Sequence, residues 1–371
     1  METHPPESGS LVLISSGGTG GHMTPAAALA HDLVSRGNRV ALVTDGRGSN
    51  YTQMFPEKTS VHVIRAGTIG GGPAGKLKGA LNLAGGFVQA WGVTGRLRPS
   101  LVVGFGGYPS VPGVLAAQLR KIPTIIHEQN AVLGKANLFL AARAERIALS
   151  FPDMTGLDKA ECLRAVITGN PVRSEIAALQ EVPYNPAQED GVFNILVMGG
   201  SLGASVFAKI VPEALARLKN EDKSRLNVVQ QCREADIESA RKQYEEAGIK
   251  ADLAAFYNDM ALKLSQAHLV ICRSGASTVA ELTASGRPAI YVPYPHHKDQ
   301  QQKKNAQHVV DSGGAWMMTE DVFTPKALLA KIEGFLLNPG ELSDAAQKAG
   351  TFGKPDAARR LGNLVTAVMT S

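Results

Sequence analysis

The sequence contains only three cysteines, and their spacing forms no recognisable site. Cys162, Cys232 and Cys272 are odd in number and widely separated, which excludes a disulfide framework and a CxxC-type zinc site. HExxH, the helix-borne zinc motif of many metalloproteases, is also absent. We therefore interpret the cysteines as reduced packing residues of a cytosolic protein.

Long apolar runs and a secretory leader are missing as well. No apolar stretch approaches the ~20 residues that a helix needs to span a bilayer. The polar amino terminus, METHPPESGS, lacks the basic-then-apolar order of a signal peptide. We expect an intracellular protein that is either soluble or peripheral to a membrane.

The charge balance is only mildly basic, with a net charge of +5 and a pI of about 9.0. No run of Lys and Arg is interleaved with aromatic residues, so a nucleic acid is the least favoured partner. Three interpretations of the excess remain: ordinary solubilising charge, an anionic lipid surface, or the phosphates of a nucleotide.

What the sequence does contain is one pattern used twice. Leu11 to Ser15 is a predicted strand that leads through a Gly-rich turn into a helix, and Phe193 to Met198 begins the same pattern again. The length of 371 residues suggests two domains. The linker-like run EVPYNP at residues 181–186 separates the two halves. The pattern predicts two doubly wound α/β domains.

The first Gly-rich turn, GGTGGH at residues 17–22, does not match the dinucleotide fingerprint. Counting from Gly18, Met23 stands where the third glycine belongs, which argues against a Rossmann dehydrogenase. We expect a loop whose backbone approaches a ligand closely, followed by a helix that starts near Pro25 with Thr24 as its N-cap. His22 either serves the ligand or simply caps the helix.

The stretch from residue 269 to residue 305 organises the second half. A strand from Leu269 to Cys272 turns at Arg273-Ser274-Gly275 into a helix from Ala276 to Ala284. A glycine turn at a helix N-terminus is a natural anion site. Glu281, inside that helix, is placed to accept hydrogen bonds from vicinal hydroxyls such as those of a ribose. Together these features predict a nucleotide site.

A further segment has an amphipathic helical pattern. Leu77, Leu81, Ala84, Val88 and Trp91 fall along one face. Such a face is ordinarily core. The flanking Lys76 and Lys78 raise a second interpretation, an apolar membrane patch with a cationic rim.

Several motifs coincide with one known family in order and spacing. They are GGTGGH at 17–22, GGYPS at 106–110, HEQN at 127–130, TGNPVR at 168–173, RSGA at 273–276 with Thr278 and Glu281, and HKDQQQKKN at 297–305. This set resembles the MurG family of bacterial peptidoglycan glycosyltransferases, within glycosyltransferase family 28. The resemblance extends from Leu11 to the carboxyl-terminal tail.

The resemblance implies a fold and a division of labour. The implied fold is GT-B, an α/β architecture of two doubly wound Rossmann-like domains facing across a cleft. Residues 10–173 would form the acceptor-binding and membrane-binding domain, with the helix at 355–371 packing back on it. Residues 174–352 would form the domain that binds UDP-GlcNAc.

The activity implied by the resemblance is an inverting transfer of GlcNAc from UDP-GlcNAc to the C4 hydroxyl of MurNAc in undecaprenyl-diphosphate-linked muropeptide. The sequence contains no Asp-x-Asp pair, so we expect no metal cofactor for the transfer itself. The implied location is peripheral, at the cytoplasmic face of the inner membrane on its anionic surface. The resemblance also leaves room for partners among cell-wall synthesis and division proteins.

The same resemblance assigns roles to individual residues. His22 is the implied general base, with Glu128 as the alternative. The implied substrate-binding residues are Thr19, Gly20 and Gly21 near the diphosphate and acceptor, Asn130 and Gln302 at the GlcNAc hydroxyls, Arg173 and Ser201 at the diphosphate, Tyr257 and Ala276 at the uracil, Glu281 at the ribose, and Ser277, Thr278 and Gln301 beside them. Two positions depart from the family pattern, Leu202 in place of Gln and Gln300 in place of Arg.

Two alternatives to this function remain at the level of sequence. One is another UDP-sugar-dependent GT-B enzyme, either a glycolipid transferase or a UDP-GlcNAc epimerase. The other is a non-catalytic module that binds UDP-GlcNAc. The intact GGTGGH turn argues against the module, because a pure binder has no need of an acceptor loop.

Overall fold

A computed structural model describes residues 9–67, 72–188, 190–200, 204–296 and 299–371, without the side chains of residues 73, 74, 76 and 78. The chain divides into two compact units. The first comprises Met1–Arg173 together with Asp356–Ser371, and the second comprises Ser174–Pro355.

The first unit is built on a parallel sheet. Among the described residues its strands are β1 (Leu11–Ser15), β2 (Arg39–Thr44), β3 (Ser60–Val63), β4 (Leu101–Gly104), β5 (Thr124–Glu128), β6 (Arg146–Leu149) and β7 (Ala165–Ile167). They lie in the order β3-β2-β1-β4-β5-β6-β7. The central strands β1, β4 and β5 are buried along their whole length, because helices cover both faces of a parallel sheet.

Helices pack on both faces of this sheet. They are α1 (Gly20–Ser35), α2 (Pro73–Leu97), α3 (Val111–Leu119), α4 (Lys135–Ala141), α5 (Lys159–Cys162) and, from the end of the chain, a helix at Ala357–Thr370. That last helix packs Leu361 and Val365 against the cluster that contains Leu29 and Leu33 of α1. Arg36 secures it by donating hydrogen bonds to the Asn363 side chain at 2.8 Å and to the Arg359 carbonyl at 3.0 Å.

The second unit repeats the architecture with its own core. The described strands are β8 (Phe193–Met198), β9 (Leu226–Gln231), β10 (Lys250–Ala254), β11 (Leu269–Cys272), β12 (Ala289–Tyr291) and β13 (Ala315–Met317), all parallel, in the order β10-β9-β8-β11-β12-β13. Its helices are α6 (Ser174–Ala177), α7 (Ser205–Ala216), α8 (Asn220–Arg225), α9 (Glu234–Glu246), α10 (Met260–Gln266), α11 (Ala276–Ala284), α12 (Gln301–Asp311), α13 (Pro325–Leu337) and α14 (Gly340–Phe352). The helix at Ala357–Thr370 is α15.

The prediction of two doubly wound Rossmann-like domains is therefore confirmed. In each sheet the chain changes winding direction once, between β1 and β4 in the first and between β8 and β11 in the second. Ligands of open α/β sheets bind outside the carboxyl ends of the strands at such a switch point. Within the described residues no helix is both long enough and apolar enough to cross a bilayer.

Two local predictions were wrong. The apolar run from Leu253 to Tyr257 predicts a strand, but the strand lies at Lys250–Ala254 and Phe256 is 71% exposed. An edge strand needs no continuous apolar run. Helix α1 starts at Gly20 with Thr19 as N-cap, not near Pro25. The reason is a tertiary contact, because the side chain of Asp45, directly after β2, binds the Gly-rich turn that precedes α1.

Candidate functional site

Asp45 is the side chain that holds the Gly-rich turn after β1. Its buried Oδ1 accepts hydrogen bonds from the backbone N–H groups of Gly18 and Gly48, both at 2.9 Å. Gly17 packs so closely that an added Cβ would meet Asp45 Oδ1 at 2.7 Å. The carboxylate therefore fixes the turn and brings the chain directly into α1.

The N-terminus of α1 lies at the switch point of the first sheet. Thr19 is exposed and makes no side-chain capping bond, and Gly20 and Gly21 form the first turn without side chains. A helix N-terminus presents backbone N–H groups and the positive end of the helix dipole. Thr19, Gly20 and Gly21 thus lie where an anionic group would be stabilised.

His22 follows in the same turn and faces residues from two neighbouring loops. Its Nδ1 lies 3.0 Å from Oε1 of Gln129, which comes directly after β5. On another side it borders Gly107, in the loop after β4, where an added Cβ would lie 3.2 Å from the ring Cδ2. The ring is half-buried. His22 is therefore positioned by the ends of three strands, as a reacting group requires.

Glu128, the alternative base, is buried, and its carboxylate already accepts hydrogen bonds from neighbouring residues. The residue is 2% exposed. Its Oε1 accepts from the backbone and side-chain nitrogens of Asn130 at 3.0 and 3.3 Å, and its Oε2 accepts from Gly134 N at 2.9 Å and Asn137 Nδ2 at 2.8 Å. Four donors use the acceptor sites of the carboxylate. The geometry favours a structural role for Glu128, which organises the loop that carries Gln129 and Asn130.

Asn130 and Arg173 are both partly exposed within the first unit. Asn130 lies at the carboxyl end of β5, in the same row of loops as His22. Arg173 is the last residue of the first of the two segments that form this unit. Both side chains are therefore partly accessible to a ligand. The sequence-based prediction is that they contact the sugar and the diphosphate.

In the second unit the turn between β11 and α11 lies at the switch point. Gly275 is the N-cap of α11 and provides no side-chain cap, and Ala276, Ser277 and Thr278 form the first turn. Ser274 is fully buried, and its Oγ has no hydrogen-bond partner among the residues that the structure describes. The backbone N–H groups at this helix N-terminus are the groups on which the sequence-based prediction of an anion site depends.

Arg273 stabilises that turn through contacts with the loop after β12. Its Nη1 donates to the carbonyls of Val292 and Pro293 at 3.1 and 3.2 Å, and its Nη2 is paired with Glu320. Asn305 of α12 donates to the Ser274 carbonyl at 3.3 Å. The bracing connects the turn after β11 to the loop after β12, so both loops are held as one surface.

Glu281 and Tyr257 are more enclosed than ligand-contacting residues usually are. Glu281 lies in the second turn of α11 and is 7% exposed. Tyr257 is 8% exposed, donates its hydroxyl to the Asp252 carbonyl at 2.8 Å and lies under the Lys263 ammonium. Burial raises the pKa of that hydroxyl. A ligand could therefore meet only the ring of Tyr257.

Gln301 and Gln302 form the first turn of α12, and both are partly exposed. The Gln302 Oε1 accepts from the Tyr294 backbone N–H at 2.9 Å. Ser201, expected at the diphosphate, and the departing residue Leu202 lie outside the described residues. Within the part of the chain that the structure describes, no three His, Cys, Asp or Glu residues are grouped as metal ligands.

Comparison with known proteins identifies the family. The family-model description "Glycosyltransferase family 28 N-terminal domain" matches residues 12–149, and "Glycosyltransferase family 28 C-terminal domain" matches residues 194–361. The two matches together cover most of the chain.

The chain belongs to glycosyltransferase family 28.

Individual relatives agree with this. The UDP-N-acetylglucosamine–N-acetylmuramyl-(pentapeptide) pyrophosphoryl-undecaprenol N-acetylglucosamine transferase of Rhodospirillum centenum is 49% identical over 95% of this chain and 93% of its own. The protein of the same name from Sphingopyxis alaskensis is 47% identical over 95% and 90%. The crystal structure of Acinetobacter baumannii MurG superposes with a TM-score of 0.77 at 30% identity, covering 96% of this chain and 99% of the other.

As a family 28 glycosyltransferase, the protein is an enzyme, and the resemblance seen in the sequence is confirmed. The amphipathic face of α2 lies at the surface of the first unit. Leu77, Leu81 and Val88 are 64%, 64% and 69% exposed, and Trp91 is 38% exposed. The core interpretation of this face is wrong, because α2 turns Ala90 and Val93 toward the sheet instead. The side chains of Lys76 and Lys78 lie outside the described residues.

Three residues of this family 28 site were missed as site residues by sequence reasoning. They are Asp45, Gln129 and Arg273. Each follows a parallel strand directly or holds the turn after one. The rule that polar residues at the carboxyl ends of strands point to ligands already indicates the strand end that carries Gln129, and it could have found Asp45 and Arg273 as well.

Proposed function

We propose that this enzyme transfers GlcNAc from UDP-GlcNAc to the C4 hydroxyl of MurNAc in the undecaprenyl-diphosphate-linked muropeptide, with inversion to a β linkage. The observation that carries the proposal is the 49% identity to a transferase of that name over 95% of the chain. The two glycine turns at the two switch points supply the anion sites that a UDP-sugar and a lipid diphosphate require.

The reaction needs a base and a stabilised leaving group. The C4 oxygen attacks the anomeric carbon, the bond from that carbon to the diphosphate oxygen breaks, and UDP leaves with the electron pair. His22 takes the proton of the attacking hydroxyl, the role for which imidazole is suited near neutral pH. Backbone N–H groups at helix N-termini stabilise the charge that develops on UDP, with Arg173 and Ser201 assisting.

The second unit binds the donor in this scheme. Ala276, Ser277 and Thr278 receive the diphosphate and uracil side of UDP, together with the ring of Tyr257. Glu281 accepts hydrogen bonds from the ribose. Gln302 binds the GlcNAc hydroxyls, with Gln301 beside it. The partly exposed positions of both glutamines in the first turn of α12 support this assignment.

The acceptor requires that the enzyme come to a membrane. A polyprenyl chain resists leaving the bilayer, since each CH₂ exposed to water costs about 0.8 kcal/mol. The exposed face of Leu77, Leu81, Val88 and Trp91 would enter the interface, and nearby lysines would contribute about 1 kcal/mol each on an anionic surface. We place the enzyme peripherally on the cytoplasmic face of the inner membrane, where division or cell-wall proteins would be its neighbours.

A direct assay tests the function. The protein is incubated with UDP-GlcNAc and a lipid-linked MurNAc acceptor, and UDP and disaccharide lipid are measured. Appearance of both products is expected, and neither should appear when the acceptor is omitted. Release of free sugar or an epimer from UDP-GlcNAc alone would favour an epimerase, and donor binding without turnover would favour a non-catalytic module.

A further inference from the structure

A continuous hydrogen-bonded series links His22 to a backbone carbonyl deep in the first unit. His22 Nδ1 lies 3.0 Å from Gln129 Oε1, and Gln129 Nε2 lies 3.0 Å from His127 Nδ1. His127 Nε2 in turn lies 3.0 Å from the carbonyl oxygen of Gly169. Gln129 and His127 are each no more than 2% exposed, so water does not compete for these bonds.

The last acceptor in the series fixes the proton on His127. A carbonyl oxygen can only accept, so the Nε2 of His127 must carry a hydrogen. Burial lowers the pKa of His127 to about 4, and the ring is therefore neutral near pH 7. A neutral imidazole with a proton on Nε2 has its lone pair on Nδ1. The Nδ1 of His127 is thus an acceptor.

The orientation of the Gln129 amide follows from two acceptors. Its Nε2 donates to His127 Nδ1 and also to the His127 carbonyl oxygen at 3.3 Å. The reversed amide would place its oxygen against both of these acceptors. The amide oxygen must therefore face His22, and this oxygen can only accept. The Nδ1 of His22 is then the protonated nitrogen, and its Nε2 has the lone pair.

We propose that Gln129, oriented by His127, is a positioning residue that fixes His22 in the tautomer whose Nε2 takes the proton of the attacking hydroxyl. This inference rests on the proposed function of His22 as the base. The Nε2 lies beside Gly107, where a Cβ would be 3.3 Å away, so the missing side chain leaves room at that nitrogen.

The amide suits this position better than a carboxylate would. When Nε2 receives the proton, the Nδ1–H bond to Gln129 becomes charge-assisted and stabilises the imidazolium. A carboxylate partner would do the same, but it would add a negative charge next to an acceptor that carries a diphosphate. Gln129 fixes the tautomer without that repulsion.

The test uses Gln129→Met, which keeps the length of the side chain and removes the amide with its three hydrogen bonds. In a protein labelled with ¹⁵N at histidine, the side-chain shifts distinguish protonated from unprotonated ring nitrogens. We expect neutral His22 of the wild type to carry its proton on Nδ1 and the variant to show a mixture. We expect kcat to fall ~10-fold or more, since a wrong tautomer disables a histidine base, while KM for UDP-GlcNAc stays unchanged.

Gln118→Met is the matched control. The Gln118 amide also donates hydrogen bonds inside the first unit, to Thr124 Oγ1 at 3.3 Å and to the Leu140 carbonyl at 3.0 Å. This variant should keep the wild-type tautomer and kcat. A His127→Phe variant completes a double-mutant cycle, and its effect on kcat should not add to that of Gln129→Met if both act through one series.

The outcomes separate this inference from the proposed function. The ¹⁵N measurement on the wild type needs no turnover, so an enzyme that fails to transfer GlcNAc would overturn the function while the tautomer could still be determined. Wild-type His22 with its proton on Nε2 would overturn the inference even if transfer occurs. So would a folded Gln129→Met variant with the wild-type tautomer and kcat.

Discussion

Gly107→Ala tests whether the position of the His22 ring controls the rate. Gly107 has φ 70° and ψ 155°, a region that is essentially restricted to glycine. Its added Cβ would lie 3.2 Å from Cδ2 and 3.3 Å from Nε2 of His22. At these distances the neighbouring group must move by a few tenths of an ångström. The substitution therefore combines backbone strain with a small displacement of the proposed base.

The two effects have different magnitudes and different readouts. The strained backbone should cost about 1–3 kcal/mol of folding free energy. Misplacement of a reacting group by about 1 Å costs ~10²-fold in rate, so a few tenths of an ångström corresponds to about a 4–10-fold loss of kcat. KM for UDP-GlcNAc should not change, because Gly107 lies in the first unit and we assign the donor to the second.

Gly37→Ala is the control for strain alone. Gly37 has φ 82°, and an added Cβ would meet no described atom within 4 Å. Chemical denaturation should show comparable destabilisation for both variants, and steady-state kinetics should show a lower kcat only for Gly107→Ala. If Gly107→Ala kept the kcat of Gly37→Ala, the argument that the His22 ring is held in a reactive position would be refuted.

Further predictions address the base, the ribose, the metal and the membrane. His22→Ala should lower kcat by roughly 10²-fold or more and leave donor binding intact; a variant with wild-type kcat would place the base elsewhere, with Glu128 next. Glu281→Ala should weaken donor binding by ~2–4 kcal/mol in titration calorimetry, and unchanged affinity would refute the ribose contact. Because Glu281 is only 7% exposed, the thermal stability of the variant is measured in parallel. Activity should persist in excess EDTA, and a complete, reversible loss on chelation would contradict stabilisation of UDP by helix N-termini alone. Leu77→Glu/Leu81→Glu should lower sedimentation with anionic liposomes without loss of donor binding, because both leucines are exposed; a folded double variant that binds liposomes like the wild type would exclude this patch.

The fold could be predicted from sequence because its main signals are local. The buried strands β1, β8 and β11 are apolar runs followed by glycine turns, and each run is interpretable without knowledge of its neighbours. The edge strand β10 could not be placed in the same way. Among the described strands it pairs only with β9, and most of its residues are exposed or half-buried. The apolar residues that follow it therefore predicted a strand that is displaced toward Tyr257.

The start of α1 illustrates a tertiary effect that no local pattern contains. Thr24 and Pro25 form a good helix start by themselves. In the structure Asp45, far along the chain, binds Gly18 and folds the turn so that the helix begins at Gly20. Pro25 is tolerated inside the helix, where it forgoes one backbone hydrogen bond.

The candidate site was predictable in its backbone but not in its supporting side chains. The glycine turns and the helix N-termini follow from motif and spacing. The burial of Glu128 under four donors and the orientation of Gln129 between two histidines depend on residues that meet only in the folded unit. Sequence alone therefore left His22 and Glu128 as two candidate bases, and the geometry favours His22.

The linkage of the product tests the central claim most directly. The disaccharide lipid formed from UDP-GlcNAc and the lipid-linked MurNAc acceptor is isolated, and its anomeric configuration and attachment point are determined by NMR. The account predicts a β linkage to the C4 oxygen of MurNAc, formed with UDP in equal amounts. An α linkage, attachment elsewhere, or consumption of UDP-GlcNAc without a disaccharide would contradict it.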